Sequence, residues 1–335
     1  MIHVCPFPAL LSVFRARGLT RRVGALILAA AAGVAHAQAF PERTIHLVSP
    51  SPPGGGTDAV ARLLAAKLGE QAKWQVIVDT KPGAGNNIGL EFGAKSPPDG
   101  YTAVVGETSN LAVNQFLYKK LTFDPVKDLT PVALVGTGVS VLVVNADSPF
   151  NSLASLLAGA KTRQLAYASS GNGTVGHLVA EQLRVTTGAS LLHVPYKGGG
   201  PAMTDMLGGQ VDFYISSLVS ALPLIKDRKL RALAVTSGTR DASLPDVPTF
   251  IESGFKGFEY YTLYGVVVPA RTPENIVQTM NREINRVLNA PDVRANLATR
   301  GIYVRTGTPE AFVAFLNSER TKWAGVVRAS GATAE

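Results

Sequence analysis

Two glycine-rich loops carry the side chains with the most chemical potential. The first, Ser51-Pro52-Pro53-Gly54-Gly55-Gly56-Thr57-Asp58, follows an apolar run at 45–49 and precedes a helical pattern with Ala59, Val60, Leu63, Leu64 and Leu68 on one face. Its three glycines remove the Cβ atoms that hold a ligand away from the backbone, and Thr57 opens a helix whose free N–H groups attract an anion. A tight strand-to-helix turn would need the same glycines. No lysine follows them, which excludes a Walker A phosphate loop. The second loop, Ser169-Ser170-Gly171-Asn172-Gly173-Thr174-Val175-Gly176, matches G-x-G-x-x-G between a strand and a helix. Dinucleotide binding also needs an acidic residue about 20 positions on, and that place holds His193-Val194-Pro195-Tyr196-Lys197. What survives is an anion site: backbone N–H groups at a helix start beside the hydroxyls of Ser169, Ser170 and Thr174. Lys81–Asn87 and Gly106–Asn110, the latter with Glu107, Thr108 and Ser109, share that edge. Small, hydroxyl-rich loops on both halves of the chain suit a polar ligand with a carboxylate at one or both ends.

The case for catalysis is weak. His46, His177 and His193 have no HExxH, GxSxG or SxxK companion, and a histidine without a partner in sequence is normally structural or exposed. Asp and Glu are scattered, so neither a metal site nor a cofactor site is expected.

These loops need a scaffold, and the chain supplies one after residue 37. Arg15, Arg17, Arg21 and Arg22 precede the apolar run 23–35, which ends in Ala35-His36-Ala37; a basic region, a short apolar core and an A-x-A site describe a cleavable signal peptide over 1–37. The run is too short for a bilayer span, so no stable membrane insertion is expected after cleavage. Cleavage after Ala37 would take four arginines, lowering the net charge from +8 to +4, and would remove Cys5, the single cysteine. Disulfides and thiolate chemistry are then excluded, and the expected location is the periplasm. A charge of +4 with 7% aromatic residues over the full chain also argues against a nucleic-acid partner.

Strand and helix patterns alternate: strands at 45–49, 75–79, 101–106, 164–168, 191–194, 211–215, 231–236 and 266–269, with helices between them and a mostly helical stretch to 329. The alternation predicts an α/β fold of two domains, each a mainly parallel sheet flanked by helices. Two long runs, 132–145 and 259–269, read as strands crossing between the domains. The first domain is expected to comprise 38–140 plus about 266–335, the second about 141–265, closing together around a ligand.

At these loops the chain resembles the Bug family, the periplasmic substrate-binding proteins of tripartite tricarboxylate transporters. Seven ordered motifs carry the resemblance: 52–58 (PPGGGTD), 81–85 (KPGAG), 98–102 (PDGYT), 167–174 (YASSGNGT), 193–198 (HVPYKG), 230–237 (LRALAVTS) and 244–249 (LPDVPT). It implies a type II periplasmic-binding fold, a small carboxylate ligand, transporter membrane subunits as partners, and a monomer. Carried onto this chain, it implies that the loop with Ser51, Pro53, Gly54, Gly55, Thr57 and Asp58 contacts one ligand end. The loop with Ser169, Ser170, Asn172, Gly173 and Thr174 would hold a carboxylate, with Thr108, Ser109, Tyr196 and Ser216 also assigned to the site. Three departures stand out. Ser51 replaces a usual aromatic residue. Ser216 stands where many relatives have an acid, which favours plain carboxylates over amino acids. Glu107 stands where a small residue is usual; an acid there repels a carboxylate or pairs with an amine, and so pulls the other way. A sensory receptor of the same fold feeding a membrane kinase, or an enzyme using the cleft, are the alternatives to transport.

Overall fold

The computed structural model describes residues 1–3 and 40–334, so nearly all of the expected signal peptide lies outside the described residues. The chain divides into a short unit, Met1–Glu42, whose described residues form no helix or strand, and a main unit, Arg43–Glu335. Among the described residues no helix is long and apolar enough to cross a membrane.

In the main unit, β1 (Ile45–Ser49), β2 (Val76–Thr80) and β3 (Thr102–Glu107) pair in parallel with β1 at the centre. They are connected through α1 (Gly56–Ala72) and α2 (Asn87–Ala94). The corresponding unit further along is β5 (Leu165–Ser169), β6 (Leu191–Pro195) and β7 (Phe213–Ser217), parallel about β5 and connected through α5 (Val175–Thr187) and α6 (Gly199–Leu207), with α4 (Leu153–Thr162) leading into β5. The expected parallel pairing is thus present in both halves.

The halves are joined by β4 (Leu129–Asn145). Its first part pairs antiparallel with β9 (Tyr261–Pro269) up to Val139, and its last part pairs with β7 and with β8 (Leu230–Val235) from Ser140 onward. Val132–Val144 is buried almost throughout, because both faces of the strand are covered. That explains a Val-rich run without alternation. β9 pairs with β3 and β4, and a short β10 (Ile302–Val304), absent from the sequence pattern, pairs with β4.

The remaining elements cover the sheets: α7 (Leu218–Lys226), α8 (Glu274–Asn289), α9 (Pro291–Ala298) and α10 (Pro309–Ser330). On α8, Val277, Met280, Ile284, Val287 and Leu288 form one buried stripe at helical spacing. Between β3 and the single turn α3 (Asn114–Leu117), Ser109–Val113 forms a π-helical turn, all of it buried. Ser109 and Asn110 at its start are both hydrogen-bonded to Glu107.

Candidate functional site

Because β1 and β3 run in parallel, as do β5, β6 and β7, the loops leaving their carboxyl ends gather at one edge of the sheet, where open α/β folds bind ligands. There they enclose a cavity of about 50 Å³, room for a few waters. One side is lined by Ser51, Gly55, Gly56, Asn86, Glu107, Thr108 and Ser109, the other by Ser170, Thr174, Val175, Gly176, Gly198, Gly199, Tyr214, Ile215, Ser217 and Ser220; Ser140, Thr262 and Tyr264 of the joining strands complete it.

The loops from the two halves touch. Ser220 Oγ donates to the carbonyl of Gly54 at 3.1 Å. Gly198 adopts φ +118°, and a Cβ built there would lie 2.3 Å from Cγ of Pro52. Only glycine allows both that backbone and that approach.

Among the described residues Glu107 is the single charged one in the lining. Its Oε1 accepts from Asn86 Nδ2 at 2.6 Å and Ser109 Oγ at 2.9 Å, and its Oε2 accepts from Thr57 Oγ1 at 2.6 Å. Asn110 fixes the same corner, accepting from the Glu107 N–H at 2.9 Å and donating to the Asn86 carbonyl at 3.1 Å. Burial pushes the Tyr264 phenol well above its ordinary range, and the negative charge of Glu107 adds to the shift. Burial chiefly raises Tyr214 as well. Both phenols therefore remain neutral.

The opposite side is built on the start of α5. Thr174 is its N-cap in extended conformation, so the N–H groups of Val175 and Gly176 in the first turn have no intrahelical acceptor. Two histidines underlie this loop. His177 Nδ1 accepts the Gly173 N–H at 3.1 Å, while His193 Nε2 lies 2.7 Å from Ser169 Oγ. Their rings stack at 4.0 Å, and Tyr167 stacks on His193 at 4.9 Å. Burial, with His193 as a second cause, pushes His177 down to about 3; burial pushes His193 down to about 4. Both rings are neutral at neutral pH, so Nδ1 of His177 is free to accept.

Of the residues singled out from sequence, Ser51, Gly55, Glu107, Thr108, Ser109, Ser170 and Thr174 line this cavity. Thr57 and Ser169 stand behind it, holding Glu107 and His193. Asn172 and Tyr196 line an adjoining cavity of about 260 Å³ that also takes in Lys197 and shares Ser170. Pro53 and Gly54 are exposed and lie outside the lining. Asp58 is buried, accepting from Arg62 Nε at 2.9 Å and the Gly54 N–H at 3.3 Å. Gly173 packs against Asn114, and Ser216 is buried with its hydroxyl donated to the Ser217 carbonyl at 3.2 Å. Asn86, Tyr214 and Tyr264 belong to the site without having been assigned to it from sequence. Asn86 had a signal, its place in the Lys81–Asn87 loop, whereas a tyrosine inside an apolar strand reads as core. Among the described residues no group of three or more His, Cys, Asp or Glu side chains is placed to hold a metal ion.

Known proteins resemble the chain in sequence and in fold. Residues 60–332 match the sequence model of the tripartite tricarboxylate transporter family receptor. The protein BugT of Bordetella pertussis is 38% identical over 312 residues, covering 91% of this chain and 96% of its own. An R. palustris protein solved with adipate has a TM-score of 0.85 at 33% identity, covering 88% of this chain and 99% of its own. MatC from Rhodopseudomonas palustris, solved with bound malate, has a TM-score of 0.82 at 31% identity, covering 86% of this chain and 100% of its own. The chain is thus similar to solute-binding proteins, and its fold is that of the two-domain periplasmic binding proteins.

Proposed function

The chain belongs to the tripartite tricarboxylate transporter receptor family, and from that premise we propose that it captures a small carboxylate-bearing metabolite in the cleft and delivers it to the membrane subunits of such a transporter. It acts as an exported periplasmic receptor after cleavage at Ala37, as a monomer and without catalysis. The observation that carries the reading is the cavity itself: loops from both halves of the sheet converge on it, and neutral donors around the start of α5 line one side. Such donors stabilise an anion without an arginine clamp. Structural relatives solved with adipate and malate support a carboxylate as the ligand class. In this reading residues 38–140 with about 266–335 form one domain and about 141–265 the other; the change of β4 pairing from β9 to β7 between Val139 and Ser140 supports the first boundary.

The test is a thermal-shift screen of mono-, di- and tricarboxylates, aromatic acids and amino acids. A ligand at 100 times its Kd adds about 2.7 kcal/mol to apparent stability. Ser170→Ala is expected to weaken a hit by about 1–2 kcal/mol through a lost hydrogen bond, and Thr174→Val to weaken it by releasing the Gly171 carbonyl that the Thr174 hydroxyl holds at 2.8 Å. A panel with no shift defeats the ligand class, and unchanged affinity in both variants defeats the site. Deletion of the gene is expected to abolish uptake of the ligand found; intact uptake defeats the transport role.

A further inference from the structure

We propose that Glu107 makes this cleft selective for ligands with a single carboxylate whose far end donates a hydrogen bond, an ammonium or a hydroxyl. The proposal rests on the carboxylate reading above. An ionised carboxylate only accepts hydrogen bonds and offers about four lone-pair sites. In Glu107 two donors occupy Oε1 and one occupies Oε2, which leaves Oε2 with acceptor capacity. A ligand N–H or O–H that reaches Glu107 gains a charge-assisted bond. A ligand carboxylate there meets a like charge at close range, with no lysine or arginine among the described residues of the lining to offset it.

The position of the donors strengthens the argument. Thr57 and Asn86 lie on the loops that serve the first half of the site, and Thr57 is in the first turn of α1. These groups would suit a carboxylate at the far end of a ligand. Here they are committed to the protein's own carboxylate, held by donors at 2.6, 2.6 and 2.9 Å. The free donors of the start of α5 remain on the other side. The cleft is therefore polarised: one end carries a fixed negative charge, and the other carries donors for an anion.

The experiment is calorimetric titration of the wild-type protein and Glu107→Gln with matched straight-chain acids of three to six carbons. Each length is supplied as the dicarboxylate, the ω-hydroxy acid, the ω-amino acid and the unsubstituted monoacid. In the wild type, the ω-hydroxy or ω-amino acid is expected to bind at least tenfold more tightly than both the dicarboxylate and the unsubstituted acid of the same length. In Glu107→Gln the gap to the dicarboxylate is expected to narrow by at least tenfold. Because the readout is a ratio between ligands, a general weakening of the site does not imitate it, and the wild-type comparison decides even where the variant fails to fold. A dicarboxylate or unsubstituted acid equal to or better than its partners in the wild type overturns the proposal, as does an unchanged ratio in a folded Glu107→Gln. If no acid of any kind binds the wild type, the carboxylate reading fails and takes this proposal with it, a different result from a dicarboxylate preference.

Discussion

Acid should loosen this protein well before its carboxylates titrate, and the cause is the histidine pair beneath the second loop. His177 is buried and is held down to about 3, against an ordinary value near 6.5. The unfolded chain therefore binds a proton there below pH 6.5 while the folded chain does not. Stability falls as pH drops from about 6.5, by about 1.4 kcal/mol per pH unit, until pH reaches the folded value. At pH 5 the loss from His177 comes to about 2 kcal/mol. His193, held down to about 4 and partly exposed, adds a smaller loss of the same sign. Carboxylates held low by their partners, such as Asp124 and Asp292, lose stability only as pH falls below about 4, beneath this window. The assay is urea unfolding at half-unit steps from pH 7.5 to 5, on the wild type and on His177→Asn, whose side-chain oxygen can still accept the Gly173 N–H. The wild type should lose at least about 2 kcal/mol and the variant distinctly less. A wild-type profile flat to about 0.5 kcal/mol, or an equal slope in the variant, refutes the buried neutral pair.

Other outcomes follow from contacts already described. Gly198→Ala, which places a methyl against Pro52 at φ +118°, should weaken ligand binding at least about tenfold by resisting closure, measured by titration; unchanged affinity means that the loops need not meet. Asn86→Ala removes one donor from Glu107 and should cost about 1–3 kcal/mol in unfolding free energy. Arg231 donates to the carbonyls of Ala146, Ser148 and Phe150, so Arg231→Met should lower stability by about 2 kcal/mol without altering ligand preference, checked by denaturant titration.

Periodicity made most of the scaffold legible. Strand after strand lies within a residue or two of its sequence pattern, because burial on both faces demands unbroken apolar runs and helices demand a stripe. Turns that depend on partners distant in sequence were less visible. The π-helical turn at Ser109–Val113 is stabilised by polar contacts to Glu107 and Asn86, and β10 by pairing with β4; neither has a local signature.

The same distinction governs the site. In sequence His177 and His193 are each without a partner, yet α5 and β6 bring them face to face, with one tied to Gly173 and the other to Ser169. Glu107, read alone, is a charge in a loop that either repels a carboxylate or pairs with an amine. Three donors from Thr57, Asn86 and Ser109 hold it in place, since withdrawing it would strand hydroxyl and amide groups that now point at one carboxylate. Residue type therefore pointed to a cleft for anions, while the partners of a single glutamate argue that one negative charge there is already the protein's own.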